Sequence, residues 1–294
     1  GLHHMNQGII PGAIGVEGLN LQESIAFAGR HGFDSVMLNI REVHEIVQQH
    51  GSDYVVDLFA EYGVKPGAWS LPVRWSDDEQ RNEELATLPE FMETAHAIGC
   101  TRATSGVGPG MNDISFEQHF ENTVNRLRPV AELLETGGIK VGLEFIGTPS
   151  YRKERWENEF IYDLDGIRSL INSVGRSSLG ILFDVWHHWV SGGTPEQIDD
   201  LSAEEVVLVH VNDAPEGLSI EEQIDTQRTL PMETGVIPAP EMLRRLKAIG
   251  FDGPVMPEPF SADLEALAAR NPDDAGTRVK ESMDTLWEAA GFPT

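Results

Sequence analysis

Eight short runs rich in valine, isoleucine and leucine recur along the chain, separated by stretches of helical periodicity, and this alternation restricts the fold more than any other feature. The runs cover 8–16, 35–40, 65–71, 101–107, 140–146, 179–185, 206–211 and 254–259. Near-continuous apolar character is expected of strands buried on both faces, and such strands belong to parallel sheets. The spacing predicts a helix opened by Asn20, with Glu23 three residues on completing a capping box. It predicts further helices over about 42–62, 78–98, 115–137, 163–174, 195–202, 239–249 and 262–290. Gly250 reads as the residue that stops the helix before the eighth strand. Eight strand–helix units in 294 residues predict one (β/α)8 barrel spanning 1–294, with residues 1–6 set aside as a tag-like or disordered start. A doubly wound nucleotide-binding sheet is the competitor. Gly12, Gly15 and Gly18 have the wrong spacing for its phosphate turn, and the glycines of 106–110 are not followed by Lys-Ser/Thr.

Charge narrows the partners. With 48 acidic and 21 basic residues the formal net charge is −27, and only 5 of the basic residues are lysine. A field of that sign repels nucleic acid and anionic lipid. No apolar run approaches the roughly 18 residues that cross a bilayer, and the start lacks the basic and apolar regions of a signal peptide. The lone cysteine, Cys100, rules out an intramolecular disulfide, fits a reducing, cytoplasmic setting, and reads as a buried thiol. A small molecule is therefore the expected partner, with a homo-oligomer left open.

Chemistry gathers at the ends of the last four strands. Glu144 ends Val-Gly-Leu-Glu, Asp184 ends Ile-Leu-Phe-Asp with His187 three residues on, His210 ends Val-Leu-Val-His, and Glu258 follows Pro-Val-Met-Pro. A lone charge is costly inside an apolar strand. Neighbouring barrel strands lie about 4.8 Å apart, so side chains at their ends can meet at one point, where a divalent cation would offset three carboxylates. Three carboxylates and one imidazole favour Mn²⁺, Mg²⁺ or Co²⁺, with Zn²⁺ also admissible. A cation held against a carbonyl and the adjacent hydroxyl acidifies the neighbouring C–H and stabilises an enediolate. Glu144 and Glu258 are then the natural pair to remove and return the proton. Two long segments, 147–162 and 212–238, read as site walls or lids on the same face.

Glu144, the Asp184-x-x-His187 step, His210 and Glu258 together resemble the xylose isomerase-like TIM-barrel superfamily, also described as sugar phosphate isomerases/epimerases. The resemblance covers nearly the whole chain. It implies metal ligation by Glu144, Asp184, His210 and Glu258, with the two glutamates doubling as acid and base. It also implies that His187 hydrogen-bonds a substrate oxygen and that Arg228 is a loop arginine resting on substrate oxygens. Members include ketose 3-epimerases, hydroxypyruvate isomerases, inosose dehydratases and dehydroshikimate dehydratases. The implied activity is a metal-dependent sugar isomerase or epimerase acting through an enediolate on a ketose or related polyol. The alternative is a dehydratase of an inosose- or dehydroshikimate-like substrate. A DNA-repair endonuclease on the same fold is disfavoured by the acidic charge and the scarcity of further strand-end histidines, and a non-catalytic sugar-binding protein by the paired carboxylates.

Lesser expectations complete the reading. Trp69 and Trp186 are candidate apolar walls against a sugar face. His188 reads as structural, Asn39 and Glu42 end the second strand within reach of the site, and Arg152, Lys153 and Arg155 form a basic patch paired with nearby acids.

Overall fold

The computed structural model describes residues 4–294. Eight parallel strands, β1 (Asn6–Ile9), β2 (Ser35–Leu38), β3 (Lys65–Ser70), β4 (Arg102–Val107), β5 (Lys140–Phe145), β6 (Leu179–Asp184), β7 (Val206–Val211) and β8 (Pro254–Pro257), pair in chain order, and β8 returns to β1. The result is one closed (β/α)8 TIM barrel. β6 and β7 are buried at every position, which is why their sequences lack polar alternation. No helix among the described residues is long and apolar enough to cross a membrane.

Two apolar layers organise the molecule. The larger lies between the sheet and the surrounding helices, and a smaller one, made of Ala68, Leu182, Leu208 and Met256, fills the barrel. Glycine makes room for the smaller layer: a β-carbon on Gly8 would lie 2.9 Å from Met256 Cε, and one on Gly67 2.6 Å from it. Strand side chains repeat every second residue. Asp184, His210 and Glu258, each two residues past Leu182, Leu208 and Met256, therefore sit directly above this plug at the C-terminal mouth.

Several boundaries differ from the sequence reading for local reasons. The start set aside as 1–6 contributes from Met5, which is buried in the core, and Asn6 begins β1; residues 1–3 lie outside the described residues. β1 stops before Pro11, which opens a 3-10 turn over Pro11–Ile14. The 42–62 helix is two, Ile40–His50 and Ser52–Tyr62, parted by Gly51 at φ 85°. The 262–290 helix is also two, because Asn271 caps a new helix that starts at Pro272. Over 195–202 the chain forms 3-10 turns rather than an α-helix, and the helix that follows β6 is Val185–Val190. The Asn20–Glu23 capping box forms in both directions.

Candidate active site

Glu144, Asp184, His210 and Glu258 converge at the mouth, with one potential ligand atom from each within 4.8 Å of the others. His210 Nδ1 lies 3.4 Å from Glu144 Oε2, 3.6 Å from Glu258 Oε2 and 3.8 Å from Asp184 Oδ2. Yet neither ring nitrogen of His210, nor Glu144 Oε2, has a hydrogen-bond partner although all are buried. Buried polar atoms are normally satisfied. Four donors aimed at one point, with orphans among them, fit a single divalent ion. The side chains of Glu144 and Glu258 remain 19% and 18% exposed while Asp184 has none, so only the glutamates are open to an incoming substrate.

Crowding sets the protonation of the metal-free cluster. Burial, reinforced by the charges of Glu258 and Asp184, pushes Glu144 up to about 7, although His210 opposes it. Burial likewise raises Glu258 against the pull of His210 and Arg228. For Asp184 burial would raise the carboxyl, but Arg228, His187 and His210 outweigh it and hold it below the ordinary range. His210 is raised to about 9: burial works against the cation, and the charges of Glu258, Glu144 and Asp184 overcome it.

Arg228 and His187 form the wall beside this cluster. Arg228 is buried, and its Nη1 donates to Asp184 Oδ2 (3.3 Å) and Glu258 Oε1 (3.2 Å). The guanidinium lies between the rings of Trp186 (4.9 Å) and Phe260 (4.7 Å). His187 is driven down to about 4, chiefly by burial, and is therefore neutral near pH 7. Its Nδ1 accepts the backbone N–H of Gly147 at 3.1 Å. Its Nε2 lies 3.3 Å from Arg228 Nη2 and 3.9 Å from Asp184 Oδ2.

Two aromatic expectations change. Trp69 has the opposite strand parity to Ala68, so it faces the helix layer, wholly buried, with its indole N–H on the Cys100 carbonyl at 2.9 Å. It cannot wall a substrate. Trp75, with Leu71, Ser105 and Gly106, lines a cavity of about 400 Å³, and Gly106 is the register partner of Glu144. Trp186 is likewise wholly buried, and it supports Arg228 rather than lining open space. Asn39 caps the helix after β2, and Glu42 accepts the N–H of Leu21, so neither reaches the cluster. His188 is structural as expected, bonding the Thr194 carbonyl at 2.7 Å. Cys100 is buried, and burial pushes its thiol up to about 12. The basic patch is internally matched, with Arg152 on Glu159 and over Tyr162, Lys153 on Glu221, and Arg155 over Tyr151.

Sequence reasoning missed four polar residues. Asn212 donates to Asp184 Oδ1 at 3.0 Å. Asp225 binds Arg228, and Thr148 binds Asp225. Asp213 gathers the N–H groups of Ala214, Thr234, Gly235 and Ile237 and so shapes the loop after β7. Only Asn212 and Asp213 had a signal, as consecutive polar residues ending an apolar strand.

Comparison with known proteins bears on this geometry. Residues 25–288 match the family model described as the xylose isomerase-like TIM barrel. The chain belongs to this family. Inosose isomerase of Bacillus velezensis (strain DSM 23117 / BGSC 10A6 / LMG 26770 / FZB42) is 23% identical over 271 residues, covering 91% of this chain and 93% of that protein. A xylose isomerase domain protein from Alicyclobacillus acidocaldarius superposes with a TM-score of 0.85 at 25% identity, over 98% of this chain and 99% of that one. The IOLI protein, solved with a zinc atom bound, gives a TM-score of 0.77 at 22% identity over 98% of both chains. This xylose isomerase-like barrel is accordingly an enzyme of the isomerase–epimerase class.

Proposed function

We propose that the protein is a divalent-metal-dependent isomerase or epimerase that moves a proton next to the carbonyl of a ketose or a cyclic polyol ketone of inosose type. One observation carries the reading: two glutamates, both still reachable from solvent, stand at a buried four-donor cluster. Glu144, Asp184, His210 and Glu258 would hold the ion, which when bound polarises the substrate carbonyl and acidifies the adjacent C–H. Three carboxylates favour Mn²⁺, Mg²⁺ or Co²⁺; zinc has the support of the IOLI relative.

The chain's own groups do the rest. Glu144 and Glu258 flank the cluster, one accepting the carbon-bound proton and the other returning it. Neutral His187, its Nδ1 occupied by Gly147, has Nε2 left to bond a substrate oxygen. Arg228 lends positive charge on the same side, and the cavity beside Gly106 and Trp75 has room for the remainder of the substrate. A cytoplasmic setting accompanies the reading, to which the single buried thiol of Cys100 points.

The test is incubation of manganese-, cobalt- or zinc-loaded protein with ketoses, inososes and dehydroshikimate in D₂O. Deuterium entering an unchanged carbon skeleton supports the proposal. An absorbing enone product would replace it with a dehydratase, and a metal-loaded protein inert to the whole panel would refute it.

A further inference from the structure

The two long loops at the barrel mouth are joined by a chain of hydrogen bonds, buried at Thr148, that ends on Arg228. Trp186 Nε1 donates to Thr148 Oγ1 at 2.9 Å, and Thr148 Oγ1 donates its own proton to Asp225 Oδ1 at 2.6 Å. Asp225 Oδ1 also takes Arg228 Nη2 at 3.2 Å, and its carbonyl takes Arg228 Nε at 2.7 Å. Thr148 is fully buried, so its hydroxyl has no water to fall back on. Two further links run between the same loops: Ser150 Oγ donates to the Gln223 carbonyl at 2.7 Å, and Lys153 Nζ lies 3.4 Å from Glu221. Immediately before Thr148, the N–H of Gly147 fixes the His187 ring.

We propose that Thr148 and Asp225 are positioning residues, forming a latch between the loops after β5 and β7 that holds Arg228 and His187 in register with the carboxylates of Asp184 and Glu258. Neither latch residue touches the four-donor cluster. Thr148 is the joint. Its single hydroxyl oxygen accepts from the indole and donates to the carboxylate at once, which a side chain of the same shape without the hydroxyl does not. Without it, Asp225 loses the contact that fixes its rotamer, and Arg228 loses the acceptor that sets its angle over Trp186. Misplacement by about 1 Å of a group that orients a substrate can cost roughly 100-fold in rate. The proposal rests on the function proposed above only for its kinetic consequence; the latch itself is a property of the folded chain.

The experiment compares Thr148→Val, which keeps the shape and removes the hydroxyl, with Thr148→Ser, which keeps the hydroxyl, and with Asp225→Ala, which removes the acceptor oxygen. The first measurement is amide hydrogen exchange across 220–230 in the metal-free full chain. Exchange should quicken at least roughly tenfold in Thr148→Val and stay near wild type in Thr148→Ser. The second is steady-state kinetics on whichever ketone of the panel the wild type turns over. In Thr148→Val, kcat should fall roughly 10- to 100-fold, serine should restore it, and combination with Arg228→Lys should cost less than the two single losses together. Wild-type exchange and wild-type kcat in both Thr148→Val and Asp225→Ala would overturn the latch. Should Thr148→Val fail to fold, Asp225→Ala decides by the same two readouts. A wild type inert to the whole panel sinks the proposed function, and the exchange comparison still decides the latch.

Discussion

Loading the cluster with a divalent ion should expel protons, and their number follows from the buried charges. In the metal-free protein His210 is held at about 9 and Glu144 at about 7. At pH 7.5 His210 is then almost fully protonated and Glu144 partly so, and the Glu258 carboxyl is raised as well, so binding should release at least about one proton. The sign is fixed by geometry. The ring nitrogen facing the carboxylates, His210 Nδ1, cannot both hold a proton and serve as a ligand. Affinity for Mn²⁺ or Zn²⁺ should therefore climb about tenfold per pH unit between about 7 and 9, more steeply below 7 where Glu144 adds a second proton, and level off above 9. Calorimetric titration at pH 7.5 in buffers of different ionisation enthalpy measures the count directly as the slope of the observed heat. A slope near zero, or an affinity flat from pH 7 to 9, would refute both the charge balance and the role given to His210.

Other consequences are as specific. Asp213→Ala strands four backbone N–H groups, two of them in buried residues (Ala214 and Ile237). The expected cost is about 2–6 kcal/mol, or a melting temperature lower by roughly 3–10 °C. Asp213→Asn should rescue little, because its amide must present N–H to one pair of donors; a wild-type melting curve for Asp213→Asn would contradict the assignment. Glu144→Gln and Glu258→Gln should each abolish turnover in the metal-loaded enzyme, and full activity in either would remove that residue from proton transfer. His187→Ala should raise KM or lower kcat with metal content unchanged by elemental analysis, whereas loss of metal would make His187 a ligand.

What could be read from the sequence, and what could not, divides by distance along the chain. The barrel was legible because eight apolar runs each report burial on both faces. The four ligand candidates were legible because an acid or histidine inside such a run is costly to bury unless an opposite charge offsets it. Trp69 misled because residue type was weighed without strand parity: Ala68, not Trp69, faces inward. Trp186 misled because the chain turns helical directly after Asp184, which carries the indole back under Arg228. Gly51 and Asn271 broke two long periodic stretches into pairs of helices, a cost in helical continuity that the hydrophobic pattern does not register. The Thr148–Asp225 contact spans 77 positions between two loops, and no local pattern marks either residue.

The decisive measurement is anomalous diffraction from crystals grown with zinc or manganese. One peak is expected at the barrel mouth, with oxygen atoms of Glu144, Asp184 and Glu258 and Nδ1 of His210 all at about 2.0–2.3 Å from it. A map with no peak there, or with those four side chains turned away from one another, would contradict the assignment of a metal centre to this barrel.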